Sequence, residues 1–209
     1  MFRPKFILVT FLLLLGILPV VHAQDVTPIQ YGDSIRGKIT DPDQGLLYSF
    51  DGKKVTRLLD GVTISNGLAW SPNHKTFYYI DTPTREIKAF DYDLATGQIA
   101  NPRVAIYVPK SLGWTDGMTS DTDGNLWIAM WGGAQVTKWN PNTGKLLEQI
   151  PVPALQTSSC VFGGRDMNEL YITSARKGMS EENLKKYPLS GGLFKIITNV
   201  EGMPTFEFG

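Results

Sequence analysis

From Gly45 onward the chain alternates short apolar, β-branched and aromatic runs with clusters of Gly, Pro, Asn and Asp. Turn clusters about every eight to twelve residues, with runs too short for helices between them, predict an all-β chain of short strands. The pattern also repeats. "NGLAWSPNHKTFYYIDTPTREIKAFDYDLATGQI" begins at Asn66, "DGMTSDTDGNLWIAMWGGAQVTKWNPNTGKLLEQI" at Asp116, and "SSCVFGGRDMNELYITSARKGM" at Ser158, spacings of 50 and 42 residues. Each copy holds an apolar strand, a turn ("SPNHK", "DTDGN", "GGRDMNE"), an aromatic strand around Tyr78, Trp127 or Tyr171, and a third strand ending at Phe90, Trp139 or Phe194. Two copies add a matching turn, "DLATG" and "NPNTG", before a fourth strand.

Strands in sets of four at this period predict β-propeller blades. A β-sandwich would also use short strands, but it leaves the repeat without a cause. Upstream, "GLLYSFDGKKVTRLL" reads as the third and fourth strands of a preceding blade joined at Asp51-Gly52. About three and a half blades are then visible. The one helical pattern is "SEENLKKY", residues 180–187, with Ser180 as cap and Glu181 and Glu182 suited to a helix N-terminus.

Composition changes the picture at the N-terminus. Arg3 and Lys5 precede an apolar stretch from Phe6 to Val21, followed by a small-residue cleavage site ending at Ala23. Residues 1–23 therefore read as a secretory signal peptide; an uncleaved anchor is the alternative, and Pro19 and the Ala23 site favour cleavage. The mature chain, residues 24–209, is expected to be secreted. Without Arg3 and Lys5 it carries 18 basic against 20 acidic residues, a net charge of −2, which gives no pull toward nucleic acid or an anionic membrane. Cys160 is the only cysteine, so no intramolecular disulfide can form, and no Asn-x-Ser/Thr acceptor is present.

The repeat puts Asn66, Asp116 and Ser158 at one equivalent place, read as immediately before the first, innermost strand of each blade and facing the channel mouth. An amide oxygen, a carboxylate and a hydroxyl there could form part of a hard-cation site. Equally, each could only cap the turn entering its strand. Other candidates are weaker. "DTDGNLWIAMWG" starts like a calcium loop, but Leu126 stands where Gly is needed and Gly132 where Glu is needed. Ser158, Ser159 and Cys160 could be nucleophiles, yet the mature chain has one histidine, His74, in a turn away from the mouth, which argues against a triad. Trp127, Trp131 and Trp139 read as core between blades.

"ISNGLAWS", "FYYIDT", "AFDYDLATGQI", "TDGMTSDTDGNLWIAMWGG", "NPNTGKLL", "TSSCVFGG" and "LYITSAR", in that order, resemble the senescence marker protein / gluconolactonase / regucalcin family from about Gly45 to Gly209. The resemblance implies a six-bladed propeller, incomplete here, with one divalent metal, calcium or zinc, in the central channel, and hydrolysis of sugar lactones such as gluconolactone. Asn66 matches the family's Asn in S-N-G and Asp116 its Asp in D-G-M; both are thereby implied metal ligands, and Asp116 the catalytic base. The family's further Glu ligand and its substrate-holding Arg and Asn lie on earlier blades. Here the first glutamate is Glu86, and residues 24–44 read as unrelated to that half. The expectation is a gluconolactonase-type hydrolase acting on a small sugar lactone; a non-catalytic secreted calcium- or ligand-binding protein, or an inactive truncated isoform, is the alternative. Open blade edges predict self-association.

Overall fold

The computed structural model describes residues 42–204. The expected signal peptide and most of the segment 24–44 lie outside them. Thirteen strands and one short helix follow in order: β1 (Gly45–Phe50), β2 (Val55–Val62), β3 (Ser65–Trp70), β4 (Thr76–Asp81), β5 (Glu86–Asp93), β6 (Gln98–Tyr107), β7 (Trp114–Ser120), β8 (Leu126–Trp131), β9 (Gln135–Asn140), β10 (Lys145–Pro151), β11 (Gln156–Gly163), β12 (Glu169–Ala175), α1 (Glu181–Lys186) and β13 (Leu193–Ile197). The chain is nearly all β, an incomplete propeller, as the repeat predicts.

The pairing reproduces the blades. β3-β4-β5-β6 form one four-stranded antiparallel sheet, and β7 to β10 form the second in the same order. β11-β12-β13 make the third, which joins the ladder of β8 at the pair Gln156↔Trp131. The β1–β2 hairpin is the half blade, and its turn is held by the Asp51 carboxylate, which accepts from the Lys53 and Lys54 N–H groups at 3.0 and 2.9 Å. The matching turns fold alike: Gly97 N–H donates to Asp93 O at 2.7 Å and Gly144 N–H to Asn140 O at 2.9 Å. In α1 the Ser180 hydroxyl accepts from Asn183 N–H at 3.2 Å, the expected cap.

Strand alternation sends successive side chains to opposite faces of a blade, and both faces are buried where a neighbouring blade covers them. In β4, Phe77 and Tyr79 pack with Leu47, Val62, Phe90 and Tyr92 on the hairpin side. Tyr78 and Ile80 face the next blade, against Met118, Leu126, Ile128 and Met130. In β8, Trp127 turns the other way and packs with Cys160, Phe162, Leu170 and Ile172 of the third blade. Each such side chain contributes roughly 1.5–3 kcal/mol of burial, so the blades are held by three successive apolar layers. Trp127 and Trp139 are core, as predicted, whereas Trp131 is only half-buried. The last blade leaves Val161, Leu193 and Ile197 exposed.

Residues 201 and 202 tie the third blade back to the second. Gly202 bridges Asp121, and Thr122 N–H donates to Glu201 O at 2.9 Å. Gly202 has no room for a side chain, since a Cβ there would collide with Phe162.

Candidate functional site at the inner-strand bulges

Asn66, Asp116 and Ser158 lie inside the innermost strands β3, β7 and β11, not before them as the repeat suggested. Each sits at a β-bulge. Pairing jumps from Ser65↔Asp81 to Leu68↔Tyr79, from Thr115↔Met130 to Met118↔Ile128, and from Thr157↔Ser174 to Ser159↔Thr173, so each inner strand carries one extra residue at the same point. A bulge breaks the period of two and re-aims the side chain it carries.

The bulges also set how closely the inner strands approach. A Cβ on Gly67 would lie 2.6 Å from Asp116 O and 2.7 Å from Met118 N, and a Cβ on Gly117 would run into Ser159. Glycine is required at both places because backbone from the next blade fills the space. The Asn66 and Asp116 positions are thereby held on touching strands of adjacent blades. Ser158 follows one blade on, but its hydroxyl pairs with Thr173 Oγ1 at 2.9 Å within its own blade.

Asn66 is buried, and its Nδ2 donates to Thr82 Oγ1 at 3.0 Å. The Thr82 hydroxyl donates in turn to the Thr115 carbonyl oxygen at 2.8 Å. Asn66 Oδ1 is buried with no hydrogen-bond partner. A buried acceptor left without a donor is costly, and it leaves Oδ1 available to a ligand. Beside it, burial pushes the Asp116 carboxyl up to about 6, against a smaller pull downward from the Asn66 side chain and the Gly117 N–H. An unpartnered amide oxygen and a desolvated carboxylate without a cation partner are the donor chemistry a hard divalent cation would satisfy. Among the described residues no group of three or more His, Cys, Asp or Glu side chains comes together.

Cys160 is buried, and its thiol is pushed up to about 12, first by that burial. His74 lies in the β3–β4 turn, at the opposite end of β3 from Asn66. Asp121, read as a turn residue, is fully buried and accepts from Asn125 N–H at 2.7 Å and Trp127 Nε1 at 2.9 Å while pairing with Lys138 Nζ at 3.2 Å.

Several residues of this region were not singled out from sequence. Thr82 and Thr115 enter through the hydrogen bonds above. Arg85 adopts a left-handed φ of 60°, donates from Nη1 to Gly113 O at 2.9 Å and stacks 4.0 Å from the centre of the exposed Trp114 ring. The only sequence signal for Thr82 is its place directly after "FYYID".

Residues 30–176 match the family described as SMP-30/Gluconolactonase/LRE-like region. Regucalcin of Gallus gallus is 43% identical over 178 residues, which cover 84% of this chain and 60% of that protein. Among solved structures, a calcium-binding regucalcin from Agrobacterium tumefaciens superposes with a TM-score of 0.74 at 28% identity, covering 82% of this chain and 57% of that one. A gluconolactonase from Xanthomonas campestris gives 0.52 at 33% identity, covering 61% of this chain and 41% of its own. The chain thus spans between 52% and 60% of the length of the curated relatives it matches.

Proposed function

The chain belongs to the SMP-30/gluconolactonase/LRE-like family, and from that premise we propose that it is an exported, metal-dependent sugar lactone hydrolase built on the Asn66–Asp116 pair. The observation that carries the proposal is the orphaned Asn66 Oδ1 beside the raised Asp116 carboxyl. The similar proteins are lactonase-like or calcium-binding by name, which supports the same reading.

Asn66 Oδ1 and the Asp116 carboxylate are the groups that would hold the ion, and an all-oxygen pair suits calcium better than zinc. A bound divalent ion would polarise the lactone carbonyl and lower the pKa of a coordinated water. Asp116 has the chemistry of a general base: burial raises its carboxyl to about 6 in the metal-free chain, and the group is ionised at neutral pH and can accept a proton. It takes the proton from the attacking water as the oxygen adds to the carbonyl carbon. When the ring C–O bond breaks, the proton passes to the departing ring oxygen, and the product is the open hydroxy acid.

The alternative is cation binding without turnover. It is favoured by one observation: Asn66 and Asp116 are one amide and one carboxylate, and among the described residues no group of three or more His, Cys, Asp or Glu side chains comes together. Proton release from glucono-δ-lactone, followed by pH-stat with calcium or with chelator, tests the proposal. Hydrolysis that chelator abolishes and that Asp116→Asn removes is the expected result. Turnover that survives either change rules out this mechanism, and terbium binding with no turnover selects the alternative.

A further inference from the structure

We propose that Thr82 is a positioning residue that sets which end of the Asn66 amide faces the site. A threonine hydroxyl has one proton. In Thr82 that proton is directed to the Thr115 carbonyl oxygen at 2.8 Å, a group that can only accept. Toward Asn66, Thr82 Oγ1 can therefore only accept. The Asn66 amide must turn its NH2 to the hydroxyl, as it does at 3.0 Å, and the Asp116 carboxylate draws on the same NH2, which leaves Oδ1 as the end without a partner. Flipping the amide would set Oδ1 against an oxygen whose proton is already committed, and would put the NH2 where Oδ1 now stands unpartnered.

Burial makes this arrangement decisive. Thr115 is fully buried, and Asn66 and Thr82 are almost so, at 7% and 9% exposure, which leaves little access for water as a substitute donor. Thr82 is itself fixed, because its backbone N–H donates to Ile64 O at 3.0 Å in the turn that leads into β3. The acceptor at the end of the relay belongs to Thr115, which directly precedes Asp116 in β7. One stretch of backbone in the second blade thus places the carboxylate and also orients the amide oxygen contributed by the first. The inference rests on the reading above that Asn66 Oδ1 faces a cation, and it assigns Thr82 a role in making that oxygen available.

The test compares Thr82→Val, nearly isosteric but without the hydroxyl, with Thr82→Ser, which keeps it, in the full mature chain. Two measurements separate the claims. In metal-free 15N-labelled protein, the Asn66 side-chain NH2 signals, identified by their loss in Asn66→Asp, should exchange slowly with solvent in wild type and Thr82→Ser and quickly in Thr82→Val. By calorimetric titration with calcium alone, Thr82→Val should bind about 10- to 100-fold more weakly, with Thr82→Ser restored to near wild type. Unchanged NH2 exchange and unchanged affinity in Thr82→Val overturn the inference. So does a Thr82→Ser variant that behaves like Thr82→Val, because the methyl and not the hydroxyl would then matter. If wild type binds no calcium while the exchange pattern follows the hydroxyl, the cation reading fails and the positioning role stands. Should Thr82→Val fail to fold, Thr82→Ala against Thr82→Ser carries the same comparison.

Discussion

Asp116→Asn separates a functional carboxylate from a structural one by the sign of its effect on stability. Asp116 titrates at about 6 in the folded chain against 3.8 for the free side chain, and the first cause is burial. The fold therefore prefers the protonated form. Between these two values the folded chain holds a proton that the unfolded chain has lost, so this group's contribution to stability falls as pH rises through the window and the loss is complete above about 6. At 1.36 kcal/mol per pH unit the whole shift corresponds to about 3 kcal/mol, an upper bound because the carboxylate is only half-buried. Asparagine keeps the shape and an acceptor for the Gly117 N–H but never ionises. The metal-free variant should be about 1–3 kcal/mol more stable than wild type at pH 7.5, roughly 2–10 °C in Tm for a chain of this size, and equal to it at pH 3.5. Exposed carboxylates such as Asp91, held low first by Asn101 and then by Arg103, contribute with the opposite sign, but equally in both proteins, so they cancel in the difference. Calorimetric melts in chelator at the two pH values make the measurement. Calcium at about 100 times its Kd should then raise the wild-type melt by about 2.7 kcal/mol and leave the variant unmoved. A variant less stable than wild type at pH 7.5, or a gain of the same size at both pH values, would refute the assignment of burial as the cause.

Gly67→Ala places a Cβ 2.6 Å from the Asp116 carbonyl oxygen, a backbone atom that cannot rotate away. It should lower stability by about 1–3 kcal/mol in urea melts and weaken calcium binding, since the strand carrying Asp116 must shift. Asp121→Ala removes the acceptor for Asn125, Trp127 and Lys138 and leaves the buried Lys138 ammonium uncompensated. A loss of about 3–5 kcal/mol is expected, and adding Lys138→Met should recover part of it in a double-mutant cycle.

The blades were legible because their determinants are local. The "DLATG" and "NPNTG" turns share a Gly with positive φ and an Asp or Asn carboxyl or amide oxygen that accepts two following N–H groups, and they fold the same way 47 residues apart. Ser180 caps its helix for an equally local reason. The register of Asn66 with Asp116 was legible too, since the repeat carries it. Their place inside the strand was not, because a bulge is an agreement between two strands: Ser65 to Leu68 reads as continuous strand until Asp81 to Tyr79 is seen to be one residue shorter. Thr82 was hidden for a similar reason. Its partner Thr115 lies 33 positions on, in another blade, and nothing in "FYYIDT" indicates which oxygen the hydroxyl will meet. Asp121 looked like an ordinary turn residue, and only its contact with Lys138 across the blade makes it a buried ion pair.

The site is consequently a property of the junction between blades more than of either blade alone. Asn66 comes from the first four-stranded sheet and Asp116 from the second, and no main-chain ladder joins those two sheets. What fixes their relation is the close approach permitted by Gly67, the Thr82 bond from one sheet to the other, and the apolar layer of Tyr78, Ile80, Met118 and Ile128 behind them. Ser120 adds a further tie at the far end of β7, where its hydroxyl donates to Trp70 O at 2.8 Å. The same junction is present whether or not further blades complete the ring, so the Asn66–Asp116 pair can be formed by this chain alone. Calcium binding at that pair is then a test of the junction itself, since opening it at Gly67 should weaken binding while both side chains remain in place.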